Sequence, residues 1–238
     1  MIIPVSVKNQ SIDSSGITSD YKAAISEYVW NGFEANATKV SIEYTHNEAF
    51  GVKELIIKDN GEGINYNELG ETFGAFLASK KNLLSLQMKS KANKGKGRFS
   101  FIAFSNNAEW HTVYKDNDVY KEYDIAMSSD KKEVIDCSEP QLSEQNATGT
   151  EVRFFNINTL TVENMSFEVI ESALLKDFAW FLYLYKNKDA EIIVNGEKID
   201  YKKYINTDLS EKVMVTIDGY RFEINLIVWQ ESISEKFC

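Results

Sequence analysis

The segment "IIKDNGEGI", residues 56–64, combines a carboxylate with two closely spaced glycines. Asp59 ends a β-branched run that predicts a buried strand, and Gly61 and Gly63 follow it. A carboxylate at a strand end can accept a hydrogen bond from an exocyclic amine, and glycines let the backbone approach a flat ligand. An ordinary Asp-Asn-Gly turn explains the same letters, because such turns are common.

A second segment, "KANKGKGRFS" at residues 91–100, has the composition of an anion-binding loop. Seven basic residues and no acidic one lie between Lys80 and Arg98, in a chain of formal net charge −10. Gly95 and Gly97 precede "RFSFIAF", which predicts a helix start, where free N–H groups and the helix dipole favour phosphate. A solvated run of charges is the alternative interpretation.

Polar residues also recur at helical spacing in "TSDYKAAISEYVWNGFEANA", residues 18–37. The spacing puts Glu27, Asn31 and Glu34 on one face of an amphipathic helix. The small residues in "KAA" and "EANA" suit a helix that lines a ligand site. A polar stripe that faces solvent would explain the same three residues. Farther along, Thr148 and Thr150 flank Gly149 and could present hydroxyl groups to the same cleft, or could simply begin a strand.

The elements that would position these residues follow from periodicity and turn signals. The helix at 18–37 is predicted to begin with Thr18 or Ser19 as its cap and Asp20 in its first turn. A second, apolar helix is predicted at 166–186. Strands are predicted at "KVSIEYT", "KELIIKD", "AEWHTVYKD", "DVYKEYDIAM", "KKEVIDC", "GTEVRFFNI" and "AEIIVNGEKI", and only strands from about residue 188 onward. Turns are predicted at residues 116–118, 195–196 and 218–219, so the sheet should grow mainly antiparallel.

Composition excludes several classes of protein. A chain of 238 residues with 43% hydrophobic content can form one large domain, with or without a small appendage. Cys137 and Cys238 make neither a disulfide framework nor a zinc site. No run reaches the length of a membrane span, no secretion signal is evident, and we expect a cytoplasmic protein. The acidic balance argues against general binding to the DNA backbone.

The order and spacing of these motifs resemble one family, the GHKL ATPases. Its members include gyrase-type topoisomerases, ninety-kilodalton heat-shock chaperones, sensor histidine kinases, MutL and MORC proteins. The segment "EYVWNGFEANATKVSI", residues 27–42, is particularly similar to the MutL N-box and its following strand. The resemblance covers roughly residues 15–185.

The resemblance implies the Bergerat fold: an α+β, two-layer sandwich of a mixed, mostly antiparallel sheet with helices on one face. Residues 1–187 would form the ATP-binding domain, and residues 188–238 would begin a strand-rich, transducer-like domain, which we expect to be truncated. The implied function is Mg²⁺-dependent binding and hydrolysis of ATP, which switches a dimer clamp in a larger protein. Hydrolysis by this fragment alone is expected to be weak, and DNA or client proteins would bind through regions outside this sequence.

The resemblance also implies roles for individual residues. Glu27 would be the general base, Asn31 would hold Mg²⁺ against the triphosphate, and Asp59 would accept the adenine amine. Gly63 would leave room for the base, and Thr150 would support Asp59 and a bridging water. Residues 80–94 would form a mobile lid. The implied site comprises Glu27 and Lys236 for catalysis, Asn31, Asp59, Gly61, Gly63, Lys80, Gly95, Lys96, Gly97 and Thr150 for ATP or ADP, and Asn31 for the metal.

The sequence departs from the family pattern twice and leaves two other functions open. Ala92 stands where the family usually has a glycine, and Glu34 stands where Asp is common, so Glu34 has no assigned role. A phosphotransfer kinase is one alternative, although sensor kinases commonly lack a carboxylate at the position of Glu27. A nucleotide-binding interaction module without hydrolysis is the other alternative. DNA repair, chromatin-like compaction, protein remodelling and defence all use this type of domain.

Overall fold

The computed structural model describes residues 17–72 and 97–230. Helix α1 spans Tyr21–Glu34, the short α2 spans Leu69–Thr72, and α3 spans Phe167–Leu184. The strands are β1 (Lys39–His46), β2 (Val52–Asp59), β3 (Ser105–Asp116), β4 (Val119–Ser128), β5 (Asp136–Cys137), β6 (Gln141–Leu142), β7 (Gly149–Ile157), β8 (Glu191–Val194), β9 (Glu197–Lys198), β10 (Glu211–Ile217) and β11 (Tyr220–Leu226). Short 3-10 helices occupy Tyr66–Glu68, Gly97–Ala103, Lys186–Lys188 and Tyr201–Tyr204.

Within the described residues, nine strands form one mixed sheet. Its order is β5-β4-β3-β7-β2-β1-β8-β9, and β6 pairs with β4 beside β5. Every pair is antiparallel except β1 with β8, which are parallel. Strands β10 and β11 form a separate antiparallel hairpin. The predicted α+β class with a mostly antiparallel sheet is therefore confirmed.

The hydrophobic core lies between one face of the sheet and the two long helices. Trp30 of α1 packs against Phe178 of α3 in a tilted arrangement with ring centroids 4.3 Å apart, and Tyr28 packs edge-on against Phe154 of β7 with ring centroids 4.8 Å apart. The opposite face of the sheet carries ion pairs, among them Lys58 with Glu151 at 3.6 Å. Burial on one face and charge on the other make a two-layer sandwich with the helices on one side, as predicted.

Helix α1 begins one residue later than the predicted caps allow. Asp20 is the N-cap, because its backbone is extended and its carboxylate accepts a hydrogen bond from the Lys22 N–H at 2.9 Å. The prediction of Thr18 or Ser19 as the cap is therefore wrong. The Thr18 hydroxyl instead accepts from the Asp20 N–H at 3.1 Å, so it orders the turn that leads into the helix.

The three predicted hairpin turns are confirmed, and each contains residues with positive φ. Asn117 and Asp118 have φ of 48° and 68°, and the Asn195-Gly196 and Asp218-Gly219 turns share this geometry. Such turns match the twist of the flanking strands. Two strand predictions are wrong in extent: "KKEVIDC" pairs only at Asp136–Cys137, and the region after 188 includes the 3-10 helix Tyr201–Tyr204.

The region after residue 188 divides between two sheets. Strand β8 joins the main sheet through its parallel pairing with β1, and β9 follows it, whereas β10 and β11 stand apart. The domain boundary at 187/188 and the transducer-like nature of residues 188–238 stay predictions. In residues 17–72 and 97–230, neither α3 nor any other helix is both long enough and apolar enough to cross a membrane.

Gly32 allows α1 to lie close to the sheet. A Cβ atom at this position would lie 2.9 Å from the Asp59 Cβ and 3.0 Å from the Val40 Cγ2, closer than side chains normally approach. Because the helix packs over the ends of β1 and β2 here, any side chain would push α1 away from both strands.

We expect Gly32→Ala to lower the free energy of unfolding by about 1–3 kcal/mol, because overpacking outweighs the better helix propensity of alanine. Urea denaturation of both proteins measures this change. Gly70→Ala is the matched control, since no atom of residues 17–72 or 97–230 lies within 4 Å of a Cβ there. A Gly32→Ala protein as stable as the Gly70→Ala protein would contradict the close packing of α1.

Candidate functional site

Polar side chains from three neighbouring strands meet at one end of the sheet. Asp59, the last residue of β2, pairs with Thr150 of β7, and Thr150 pairs with Thr112 of β3. Directly paired residues of antiparallel strands point to the same face of the sheet, which here is the face covered by α1. The three residues thus form a row of one carboxylate and two hydroxyl groups beneath the helix.

The Asp59 side chain is half-buried and hydrogen-bonded. Its Oδ1 accepts from the Gly61 N–H at 2.8 Å. Burial raises the pKa of Asp59 to about 6, and hydrogen bonds from the backbone of Gly61 and Thr150 partly oppose this rise. A carboxylate held in this way at neutral pH is charged, poorly solvated and able to accept a further hydrogen bond.

The two glycines after Asp59 are required by the packing of the protein backbone. A Cβ at Gly61 would lie 2.5 Å from the Ala35 carbonyl oxygen at the end of α1. Gly63 has φ of +74°, and its Cβ would lie 2.1 Å from the Val113 carbonyl oxygen of β3. The turn therefore passes between α1 and β3, which fixes its distance from Asp59.

A second group of polar residues forms where α1 meets the 3-10 helix Gly97–Ala103. A Cβ at Gly97 would lie 3.3 Å from the Glu27 Oε2, 3.7 Å from the Asn31 Nδ2 and 3.9 Å from the Asn31 Oδ1. The Tyr28 hydroxyl donates to the Arg98 carbonyl oxygen at 3.0 Å and thereby holds this 3-10 helix against α1. The structure thus brings Glu27, Asn31 and Gly97 together.

The predicted polar stripe on α1 divides along its length. Glu27 and Asn31 are half-buried at the contact with Gly97, whereas Glu34 is exposed.

Arg98, which follows Gly97, is buried against the Phe99 ring, with its guanidinium carbon 4.8 Å from the ring centroid. Burial lowers the pKa of Arg98 to about 10, so its guanidinium remains charged at neutral pH.

Thr112 is a site residue that the sequence motifs did not reveal. Its side chain is fully buried. Its hydroxyl accepts from the Ile64 N–H at 2.8 Å and lies 3.1 Å from the Thr150 hydroxyl. The available signal was the alternation of "AEWHTVY", in which Thr112 takes an inward position between the buried Trp110 and Tyr114.

Part of the predicted site lies outside the described residues. These residues are Lys80, Gly95, Lys96 and Lys236, together with the predicted lid at 80–94. The described residues supply two groups along α1: Glu27, Asn31 and Gly97 form one, and Asp59, Gly61, Gly63 and Thr150 form the other near the C-terminal end of the helix. Gly32 lies next to Asn31 in the chain and contacts Asp59, so one helix connects both groups.

The range that contains these groups matches a known protein family. A family model described as "Histidine kinase-, DNA gyrase B-, and HSP90-like ATPase" matches residues 18–159, which is more than half of the chain. The matched range includes Glu27, Asn31, Asp59, Gly97 and Thr150. No curated protein matches the chain significantly.

We expect Asp59→Asn to stabilise the protein without ligand at pH 7.5. A folded-state pKa of about 6 lies above the unfolded value, so the charged carboxylate weakens the folded state above pH 6 and this penalty vanishes as pH falls toward 4. The gain should be about 1–3 kcal/mol at pH 7.5 and close to zero near pH 4. Thermal unfolding across this pH range measures it.

Asp118→Asn provides the matched control. Asp118 is exposed and hydrogen-bonded to Lys115, which lowers its pKa, so its neutralisation should give no gain in stability. An Asp59→Asn protein that is less stable than wild type at pH 7.5 would show that the carboxylate does not carry an unfavourable charge.

Proposed function

The chain belongs to the family of histidine kinase-, DNA gyrase B- and HSP90-like ATPases, and we propose that it binds ATP with Mg²⁺ and hydrolyses it as a conformational switch in a larger protein. Family membership supports ATP binding and hydrolysis in general. The use of Mg²⁺, the residue roles and the switch are our proposal. The observation that carries it is the meeting of Glu27, Asn31 and Gly97 on the same helix that packs Gly32 against Asp59, a carboxyl group with a raised pKa.

The adenine end of the site is proposed at Asp59 and Thr150. A charged, poorly solvated carboxylate gains from an N–H donor, and the exocyclic amine of adenine is such a donor. Gly61 and Gly63 shape the backbone next to the carboxylate, and Thr150 adds a hydroxyl on the same face of the sheet. These groups favour adenine over guanine, which presents a carbonyl oxygen at the equivalent position of its ring.

The phosphate end is proposed at Gly97, next to Glu27 and Asn31. Without a side chain, Gly97 leaves space beside the Asn31 amide, whose oxygen can act as a ligand of Mg²⁺. A single amide oxygen fits an ion that takes few protein ligands and completes its shell with phosphate oxygens and water. Bound Mg²⁺ would neutralise charge on the triphosphate.

Glu27 is the proposed general base. Its half-buried carboxylate lies beside Gly97, where it can accept a proton from a water that attacks the terminal phosphate. A carboxylate at this place favours hydrolysis over transfer of phosphate to a protein side chain. The second proposed catalytic residue, Lys236, would stabilise negative charge on the terminal phosphate. We further propose that ATP brings two copies together as a clamp, with residues 80–94 closing over the nucleotide.

The adenine assignment predicts that Asp59→Asn weakens ADP binding. The amide retains an acceptor oxygen but loses the charge, so affinity should fall about tenfold or more while the protein stays folded. Isothermal titration calorimetry with ADP and Mg²⁺ compares the variant with wild type. Glu62→Gln, which changes an exposed carboxylate in the same turn, is the control and should bind as wild type does. Equal affinity of Asp59→Asn and wild type would remove Asp59 from the adenine site.

The assignment of the base predicts that Glu27→Gln keeps nucleotide affinity and loses turnover. Loss of a general base lowers the rate by about 10²–10⁴-fold with little effect on ground-state binding. Phosphate release from ATP by the full-length protein measures turnover, and Glu34→Gln on the exposed part of α1 is the matched control. Normal hydrolysis by Glu27→Gln would refute the assignment, and phosphate transfer to a protein histidine in place of release would favour a kinase.

A further inference from the structure

Thr112 makes more polar contacts than a core threonine needs. Its side chain is fully buried on β3, and its hydroxyl oxygen lies 2.8 Å from the Ile64 nitrogen, 3.1 Å from the Thr150 hydroxyl and 3.3 Å from the Gly149 carbonyl oxygen. Ile64 follows the glycine turn after Asp59, and Gly149 and Thr150 begin β7. One hydroxyl group therefore contacts both segments that flank the Asp59 carboxylate.

The number of protons limits how these groups can bond. The Ile64 N–H can only donate, so Thr112 accepts there. The single proton of Thr112 can go either to the Gly149 carbonyl or to the Thr150 hydroxyl. If Thr112 donates to the Gly149 carbonyl, Thr150 donates its proton to Thr112 and can only accept hydrogen bonds from other groups. If Thr112 donates to Thr150, the Thr150 proton is available to another acceptor. Thr112 thus controls whether Thr150 donates or accepts.

The backbone around this network leaves little freedom. A Cβ at Gly149 would lie 2.4 Å from the Asp59 carbonyl oxygen, so the start of β7 is packed tightly on the end of β2. Gly63 is packed as tightly on Val113, the residue after Thr112. A shift of Thr112 would therefore move the glycine turn and Thr150 relative to Asp59.

Volume alone does not explain a threonine here. Valine has nearly the same shape and would bury no hydroxyl group, and burial of a hydroxyl is unfavourable unless it is hydrogen-bonded. At Thr112 the hydroxyl has partners on two separate segments, both belonging to the adenine end of the site.

We propose that Thr112 is a positioning residue for recognition of the base: its hydroxyl fixes the glycine turn and the Thr150 hydroxyl so that Asp59 and Thr150 face one ligand together. The proposal rests on the proposed function, because the ligand is the adenine ring of ATP or ADP. Thr112 itself is buried and acts through Ile64 and Thr150.

The test compares binding of ADP and GDP by Thr112→Val and Thr112→Ser. Loss of the hydroxyl should weaken ADP binding about tenfold and reduce the ratio of ADP to GDP affinity, whereas serine, which keeps the hydroxyl, should restore both to within about threefold of wild type. Calorimetry with each nucleotide and Mg²⁺ gives both quantities. A role in stability alone would leave the ratio unchanged.

Ser105→Ala is the matched control, because Ser105 is another buried hydroxyl of β3, and its hydrogen bonds within the described part of the chain go to the backbone of Phe101 and Asn107. It should leave the ADP to GDP ratio at the wild-type value. If Thr112→Val does not fold, Thr112→Cys replaces it, since a thiol keeps the volume but bonds weakly. Amide hydrogen exchange at Ile64 in the protein without ligand should be faster in the valine or cysteine variant and normal in the serine variant.

The outcomes separate this proposal from the function on which it rests. Absence of ADP binding by wild type would overturn the proposed function. ADP binding by wild type with an unchanged ADP to GDP ratio in a folded Thr112→Val or Thr112→Cys protein would overturn only the role of Thr112. A lower ratio of ADP to GDP affinity in that variant, together with the wild-type ratio in Thr112→Ser, supports Thr112 as the residue that positions Asp59 and Thr150.

Discussion

The close approach of α1 to the ends of β1 and β2 is the constraint on which the site depends. Gly32 permits it, because a side chain there would meet Asp59 and Val40 at about 3 Å. It places α1 against Asp59, whose partial burial raises the pKa of its carboxyl group. It also fixes where the preceding turn of the same helix holds Asn31 and Glu27. The packing of α1 therefore influences both the pKa of Asp59 and the positions of Glu27 and Asn31.

A partly desolvated carboxylate such as Asp59 is unfavourable in a protein whose only task is to stay folded. Desolvation of Asp59 outweighs its backbone hydrogen bonds from Gly61 and Thr150, and leaves its pKa well above the ordinary value. Three positions with no tolerance for a Cβ (Gly32, Gly61 and Gly149) surround it, so the chain is built to keep this group in place. Unfavourable charge held in a rigid setting is typical of a binding site, where a ligand supplies the missing partner.

The sequence predicted those parts of the fold and site that depend on local signals. The hairpins follow from pairs such as Asn195-Gly196, and the position of Asp59 follows from the strand and turn around it. The sequence could not predict that β8 would pair in parallel with β1, or that Thr112 would lie beside Thr150, because both depend on the register of strands distant in the chain. The cap at Asp20 was missed because three adjacent residues can all cap a helix.

Helix α1 also sets the distance between the two ends of the site. Glu27 and Gly32, which lie beside Gly97 and Asp59, are five residues apart, or about 7.5 Å along a helix that rises 1.5 Å per residue. Because both positions belong to the same rigid helix, the proposed positions of the base and the reacting phosphate are not independent of each other. Precise seating of the adenine ring by Asp59, Thr150 and Thr112 would therefore also place the terminal phosphate beside Glu27.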